Sequence, residues 1–169
     1  MNTLIVYATK HGAAEKCSKI LLEKLGGKVD LYNLKQAQDT DISKYDRVII
    51  GGSIYAGRIQ KEVTQFCVNH LNTLKDKKVG LFICCMNKNS GEVQLNSAFP
   101  QELLSIAVAK ENFGGEFKFK EMNFFERLIT KMVSKSLAKE DSSITTVNGK
   151  EDISMLLEEN INKFVKLMS

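Results

Sequence analysis

The chain has 169 residues, of which 43% are hydrophobic and 26% charged, and its formal net charge is +4. This length and composition predict one globular domain over residues 1–169. No apolar run is long enough for a membrane span, and the first residues lack the pattern of a signal peptide, so we expect a cytoplasmic protein. The mild basic excess favours an acidic partner or an anionic membrane surface over a basic partner, and we expect no nucleic-acid partner.

The four cysteines, Cys17, Cys67, Cys84 and Cys85, do not form a C-x-x-C pair, and the chain has two histidines. We therefore expect neither a metal site nor a disulfide framework, which fits a reducing compartment. Cys84 and Cys85 are adjacent and could be redox groups. Because cysteine is among the most buried residue types, we interpret them as small buried strand residues.

The first apolar run, residues 4–7, consists of strand-forming residues and is typical of a strand buried on both faces of a parallel sheet. A polar turn containing Gly12 follows, and then an apolar helical stripe over residues 15–25. The first N–H groups of a helix lack partners within the helix and carry partial positive charge. The strand, turn and helix therefore predict a site for an anion such as a phosphate group.

The same alternation of strands and helices continues along the chain. Strands are predicted at residues 28–34, 46–52, 78–85 and 113–120, with a short strand-like piece at 144–147 and a loop at 36–44. Helices are predicted at 61–74, 93–109 with a break at Pro100, 123–139 and 150–168. This order predicts an α/β fold with a doubly wound, five-stranded parallel sheet.

Three loops follow the first, third and fourth apolar strands, at residues 9–14, 53–58 and 86–91. Ligands of such sheets bind outside the carboxyl ends of the strands, at the point where the strand order reverses. We therefore expect these loops to meet around a ligand. The simplest alternative for Thr9 and Gly12 is an ordinary helix cap and turn.

Other phosphate-binding classes lack their motifs here. The chain contains no G-x-x-x-x-G-K-[ST], which argues against a P-loop NTPase, and its first turn has one glycine and no G-x-G-x-x-G. A receiver domain would need acidic residues after the first strand and an aspartate ending the third. This chain has Thr9-Lys10-His11 and Gly51-Gly52-Ser53 at those places.

The motifs resemble a particular family. The segment YATKHGAAE, residues 7–15, resembles the FMN-phosphate loop of flavodoxins, although Ala14 and His11 stand where that loop carries hydroxyl side chains. The segment YDRVIIGGSIYAG, residues 45–57, is similar to the flavodoxin-like, menaquinone-dependent protoporphyrinogen oxidases. FFERLITKM, residues 124–132, resembles the helix that those proteins carry in an insert at the fifth strand, here at about residues 121–141.

The resemblance implies a flavodoxin-like fold with FMN as cofactor, and it assigns the three loops to parts of that cofactor. The first loop would hold the phosphate, the second would contact the ring, and the third would form another wall. The residues concerned are Thr9, Lys10, His11, Gly12, Ala13 and Ala14, then Ser53, Ile54, Tyr55, Ala56 and Gly57, then Met86, Asn87, Lys88, Asn89, Ser90 and Gly91. Tyr55 could equally be an ordinary surface aromatic residue.

The resemblance also implies a function in heme biosynthesis: an FMN-dependent oxidoreductase, similar to protoporphyrinogen oxidase, with a quinone acceptor. The flavin would carry the electrons, so no side chain need act as an acid or a base. One alternative is an electron carrier between protein partners, but carrier flavodoxins are usually strongly acidic and this chain is basic. Another is a non-redox scaffold that keeps only the fold.

The predicted helix at 123–139 combines an apolar stripe with a line of basic residues spaced four apart: Arg127, Lys131, Lys135 and Lys139. The helix could pack on the domain with its basic face in solvent. It could also contact a membrane surface or a carboxylated substrate. The bilayer is where a quinone acceptor would be found, which motivates the second interpretation.

Overall fold

The computed structural model describes residues 1–36, 40–87, 89–117, 127–128, 130–132, 135 and 153–169. Its main element is a five-stranded parallel sheet in the order β2-β1-β3-β4-β5, which is the strand order of flavodoxin-like folds. The strands are β1 (Asn2–Ala8), β2 (Lys28–Asn33), β3 (Arg47–Ser53), β4 (Lys78–Cys84) and β5 (Ala109–Asn112). The predicted α/β fold is confirmed, and the strand order reverses between β1 and β3.

Helices cover both faces of the sheet. They are α1 (Ala13–Lys24), α2 (Lys61–Asn69), α3 (Leu71–Leu74), α4 (Gly91–Ala98), α5 (Gln101–Ile106) and α6 (Glu158–Met168). One hydrophobic cluster packs α1 and α6 on the face of the sheet that carries Ile5 and Phe82. A second cluster packs the four helices α2, α3, α4 and α5 on the face that carries Leu4 and Val6. The continuous apolar runs of β1, β3 and β4 follow from this arrangement, because successive side chains enter opposite layers.

Phe82 of β4 lies at the centre of the α1–α6 layer. Its ring stacks on Phe113, with 4.7 Å between ring centroids, and meets Phe164 of α6 edge-on at 6.4 Å. The neighbouring strand makes room for the ring with Gly51, where an added Cβ would lie 2.0 Å from Phe82 Cζ. Gly51 is therefore required by packing as well as ending an apolar run.

The fifth strand differs from its prediction. The strand that completes the sheet is β5, Ala109–Asn112, and residues 114–117 leave it as β6 (Gly114–Phe117), which pairs antiparallel with β7 (Ile153–Leu156). The chain turns off the sheet at Gly114, whose φ of +77° suits glycine. The prediction of one strand over 113–120 is therefore wrong, and residues 118–120 lie outside the described part.

Three helix predictions also change. The predicted helix at 150–168 begins only at Glu158, because the preceding residues pair with β6. The helix predicted at 61–74 is interrupted at His70, whose φ of −109° and ψ of 9° leave the helical region. The break at Pro100 is confirmed, but α5 ends at Ile106 rather than at residue 109. The strand-like piece at 144–147 lies outside the described residues.

A buried arginine closes the sheet at the amino ends of its strands. Arg47 is 3% exposed, and its guanidinium donates hydrogen bonds to Thr3 Oγ1 at 2.8 Å, to the carbonyl of Gly26 at 2.9 Å and to the carbonyl of Met168 at 2.6 Å. Burial lowers the pKa of Arg47. The last carbonyls of a helix carry partial negative charge, so the end of α6 is a favourable partner for this cation.

Candidate functional site

The turn after β1 has the geometry of an anion site. Gly12 occupies the position before α1 with φ of +87°, and its N–H donates to Thr9 Oγ1 at 3.0 Å. The Thr9 hydroxyl also lies 3.3 Å from the hydroxyl of Ser53, at the end of β3. Gly12 has no side chain that could cap the twelve-residue helix α1, so the positive end of that helix faces the turn.

The second loop is a tight hairpin, which we call the 55–58 hairpin. Tyr55 and Arg58 exchange backbone hydrogen bonds of 2.9 and 3.0 Å, and the two residues between them have positive φ values, +49° at Ala56 and +74° at Gly57. Two positive φ values are characteristic of a type I′ turn. The second predicted loop is therefore a rigid projection from the end of β3.

Two carboxamide side chains fix the ends of the central strands. Gln60 binds the backbone of Ser53 at both groups: its Oε1 accepts the Ser53 N–H at 2.9 Å and its Nε2 donates to the Ser53 carbonyl at 2.8 Å. Asn112 does the same at Cys85, accepting its N–H at 3.0 Å and donating to its carbonyl at 3.1 Å. Asn112 Oδ1 also accepts the N–H of Gly114 at 3.1 Å.

These contacts position the second and third loops where parallel-strand pairing ends. Neither side chain was predicted as part of the site, because a polar residue carries no signal of which strand end it will bind. We call Gln60 and Asn112 the carboxamide clamps.

The third loop is organised by Asn87. Its Oδ1 accepts the N–H groups of Asn89 at 2.9 Å and Ser90 at 3.1 Å, which shapes the turn before α4. Gly91 is the first residue of α4 and faces the Asn112 clamp, where an added Cβ would lie 2.7 Å from Asn112 Nδ2. Lys88 lies outside the described residues.

The three loops meet at one small cavity of about 70 Å³ at the carboxyl end of the sheet. The structure places seven of the predicted residues around it: Lys10, His11, Ala13, Ser53, Ile54, Tyr55 and Met86. Thr9 and Gly12 shape the adjoining turn, while Gly91 lies in a different groove beside β5. Cys84 and three residues from later in the chain, Gly115, Glu116 and Thr130, complete the lining.

Gly115, Glu116 and Thr130 could not have been predicted as residues of the site from their spacing in the sequence. Gly115 and Glu116 reach the cavity because β6 leaves the sheet at Gly114, and an added Cβ at Gly115 would lie 2.9 Å from Met86 Cγ. The Glu116 side chain is 6% exposed and forms an ion pair with Lys16 of α1. The segments that carry Glu116 and Thr130 therefore cover one side of the cavity.

Tyr55 lies over the basic residues of the first loop. The ammonium of Lys10 is 3.6 Å from the centroid of the Tyr55 ring, and the ring of His11 is 5.8 Å from it. His11 is half-buried, with the Tyr55 ring packed against it. A cation over an aromatic face is attracted by the ring, so this contact stabilises the observed positions of Tyr55 and Lys10.

The cysteines of this region are buried, as predicted. Cys84 Sγ lies 3.6 Å from Cys17 Sγ, and the hydrogen bond between them and burial raise the pKa of the Cys84 thiol. Burial also raises the pKa of Cys85. Both thiols are therefore protonated at neutral pH, and the thiolate is the reactive form of cysteine.

The turn and the cavity can be compared with the needs of a mononucleotide. The turn supplies a glycine with positive φ, two hydroxyls, the Lys10 ammonium and a helix N-terminus, which fit a phosphate group. Small-molecule pockets usually measure about 300–1,000 Å³, several times the volume of this cavity. A ring system would therefore require Tyr55 and the covering segments to move apart.

Part of the predicted basic helix is described. Residues 127–128, 130–132 and 135 are helical, Arg127, Lys131 and Lys135 are exposed, and the apolar Leu128 and Met132 are 49% and 67% exposed. Lys139 lies outside the described residues. Within the described part of the chain, no helix is long and apolar enough to cross a bilayer.

Comparison with known proteins connects this geometry to a family. The chain is 23% identical over 144 residues to the protoporphyrinogen IX dehydrogenase [quinone] of Escherichia coli strain K12, a match that covers 80% of each chain. Among solved structures, the rubredoxin:oxygen oxidoreductase of Desulfovibrio gigas gives a TM-score of 0.49 at 17% identity. That match covers 82% of this chain and 35% of the other, so this chain spans about a third of its length.

A second solved structure, Fusobacterium nucleatum flavodoxin bound to flavin mononucleotide, gives a TM-score of 0.43 at 17% identity over 66% of this chain and 70% of the other. The decisive match is to the sequence model of the flavodoxin domain family, which covers residues 4–144. That range runs from β1 through all three loops and beyond the sheet. The chain belongs to the flavodoxin domain family.

Proposed function

We propose that this protein binds FMN and acts as an FMN-dependent oxidoreductase that resembles protoporphyrinogen oxidase and reduces a quinone. The observation that carries the proposal is the single cavity shared by three loops: Lys10 and His11 from the first, Ser53 and Tyr55 from the second, and Met86 from the third. Bound FMN supplies reversible uptake of one or two electrons, and the protein supplies binding, orientation and electrostatics.

The phosphate group of FMN would lie against the turn before α1. Gly12 lets the backbone approach an anion without a Cβ, and the Thr9 hydroxyl and Lys10 ammonium add a donor and a charge. Ala13 and Ala14 contribute backbone N–H groups at the first turn of α1. Backbone donors therefore replace the hydroxyl side chains that are absent at His11 and Ala14.

The flavin ring would lie between the 55–58 hairpin and Met86. Tyr55 and Ile54 offer aromatic and apolar surface on one side, and the 86–91 loop forms the other wall. Offset stacking of aromatic rings contributes about 0.5–1.5 kcal/mol, enough to compensate for releasing Tyr55 from Lys10. Ala56 and Gly57 place their backbone at the tip of the hairpin, within reach of the edge of a bound ring.

The electron acceptor is the finer part of the proposal. The E. coli relative is named as a quinone-dependent dehydrogenase, and this chain's net charge of +4 is unusual for a carrier flavodoxin. We further propose that the predicted helix at 123–139, with Arg127, Lys131, Lys135 and Lys139, brings the protein to an anionic membrane surface that holds the quinone. The exposed Leu128 and Met132 would enter the interface beside these charges.

The experiment has two arms. Purified apoprotein is first titrated with FMN and, separately, with FAD; we expect uptake of one FMN per chain and no uptake of FAD. The reconstituted protein is then mixed with protoporphyrinogen and a quinone, and porphyrin fluorescence is compared with apoprotein and no-protein controls. FMN uptake without porphyrin formation would favour the electron carrier, and failure to bind FMN would leave only a scaffold.

A further inference from the structure

A second, larger groove lies on the outer side of the 55–58 hairpin. It has a volume of about 600 Å³ and is bounded by the hairpin, the start of α2 and the segment that joins α4 to α5. Ile54 lines both this groove and the cavity of the three loops. The groove and that cavity are therefore neighbours that share Ile54, the residue before the hairpin.

The groove combines an apolar wall with positive charge. Ile54, Ile59, Phe99 and Pro100 contribute apolar surface. The two charged residues that line it, Arg58 and Lys61, are both cationic and both exposed, and in the described part of the chain no carboxylate lines it. Glu62 follows Lys61 in α2 but is not part of the lining.

Its size and charge indicate the kind of ligand it would accept. A volume of about 600 Å³ lies within the range of about 300–1,000 Å³ that is typical of small-molecule pockets. An uncharged apolar ligand would gain nothing from Arg58 and Lys61, and a small inorganic anion would leave the apolar wall in contact with water. An apolar molecule that carries acidic groups would use both features.

We propose that this groove binds an apolar organic anion, and that Arg58 and Lys61 determine its specificity by pairing with the acidic groups. The inference rests on the proposed function, because the occupant is taken to be the molecule that exchanges electrons with the cofactor across the hairpin. It assigns the substrate a position and a chemical class. It assigns no covalent step to the two cations.

The test uses two fluorescent probes that differ in charge. 8-Anilinonaphthalene-1-sulfonate is an apolar aromatic anion, and N-phenyl-1-naphthylamine has the same ring system without the sulfonate. Each is titrated into the FMN-loaded wild type and into Arg58→Gln and Lys61→Gln variants. We expect each substitution to weaken binding of the anionic probe about two- to fivefold, the range for exposed charge pairs, and to leave the neutral probe unchanged.

Lys28→Gln is the matched control, because it removes one exposed positive charge at the amino end of β2, away from the groove. The control should bind both probes as the wild type does. Equal losses in the control, equal losses for the neutral probe, or no loss in either groove variant would overturn the proposal. Protoporphyrin IX should displace the anionic probe from the wild type, and failure to displace it would overturn the assignment of this groove to the substrate.

The same samples separate the two proposals. FMN content is measured in every variant from its visible absorbance. If the wild type takes up no FMN, the proposed function fails whatever the probes do. If all variants keep FMN and the affinity for the anionic probe is the same in the Arg58→Gln and Lys61→Gln variants as in the wild type, the groove proposal alone fails.

Discussion

Replacing Asn112 by alanine tests whether the carboxamide clamp holds the third loop. The alanine removes three hydrogen bonds, two to the backbone of Cys85 and one from the N–H of Gly114. At about 0.5–1.5 kcal/mol each, their loss should destabilise the protein by about 1.5–4.5 kcal/mol. The backbone carbonyl of residue 112, which accepts from Asn160 at 2.8 Å, is retained in the variant.

Urea unfolding of apoprotein measures the loss of stability, and FMN titration of the same variant measures its effect on the loops. We expect both the unfolding free energy and the FMN affinity to fall, because Met86 follows directly on the clamped residue. Asn96→Ala is the control, since Asn96 is an exposed amide on α4 and such substitutions usually stay within about 0.5 kcal/mol. An Asn112→Ala protein as stable as this control would refute the clamp.

Gly91→Ala perturbs the same clamp from the other side. Replacing a helical glycine by alanine normally stabilises a helix by about 1 kcal/mol. Here the new Cβ would lie 2.7 Å from Asn112 Nδ2, and would displace the carboxamide from Cys85. We therefore expect Gly91→Ala to destabilise the protein in the same urea assay, and a gain in stability would show that the clamp has room to move.

Three further predictions concern the turns and the alkaline limit. Gly12→Val should weaken FMN binding more than Thr9→Ala in a titration. Valine strains the backbone at the φ of +87° and brings a side chain to the phosphate, whereas Thr9→Ala removes one hydrogen bond of about 0.5–1.5 kcal/mol. Equal affinity in Gly12→Val and wild type would contradict this. Gly57→Ala should shift the flavin midpoint potentials through the backbone at φ of +74°, since no heavy atom lies within 4 Å of the added Cβ; unchanged potentials would place the turn away from the reactive edge of the flavin. Burial and the hydrogen bond from Tyr45 to Asp30 raise the pKa of Tyr45 above its ordinary 10.0, so its contribution is present below pH 10 and is lost as pH rises further. Urea unfolding at pH 8 and pH 10.5 should therefore show a smaller stability advantage over Tyr45→Phe at the higher pH, and an equal advantage at both would contradict the reasoning.

The central strands could be predicted closely, because a strand buried on both faces needs an unbroken apolar run. The predicted bounds of the central strands β3 and β4 lie within one residue of those observed. The bounds of the edge strand β2 are predicted as closely, from apolar residues that alternate with polar ones. The other edge strand, β5, has neither pattern: it contains Lys110 and Glu111, and of its four residues only Ala109 is fully buried. Its identity depends on pairing with β4, which no local pattern announces.

The residues of the candidate site also divide into those that the local sequence predicts and those that it does not. The glycine turn after β1 and the loop after β3 carry local signals, and the sheet topology then brings their residues to one cavity. Glu116 and Thr130 have no local signal, because tertiary structure rather than the neighbouring sequence places them at the cavity. The carboxamide clamps were missed for the same reason, since each binds a strand end chosen by tertiary contacts.

The buried Arg47 has a consequence for the order in which the protein is assembled. Its guanidinium joins β3 to the carbonyl of Met168, a contact between residues 121 positions apart. During synthesis the Arg47 guanidinium cannot make this hydrogen bond, and stays hydrated, until α6 has left the ribosome. Because domains with many such long-range contacts fold slowly, we expect the sheet to remain open at its amino end while the three loops at its other end can already meet.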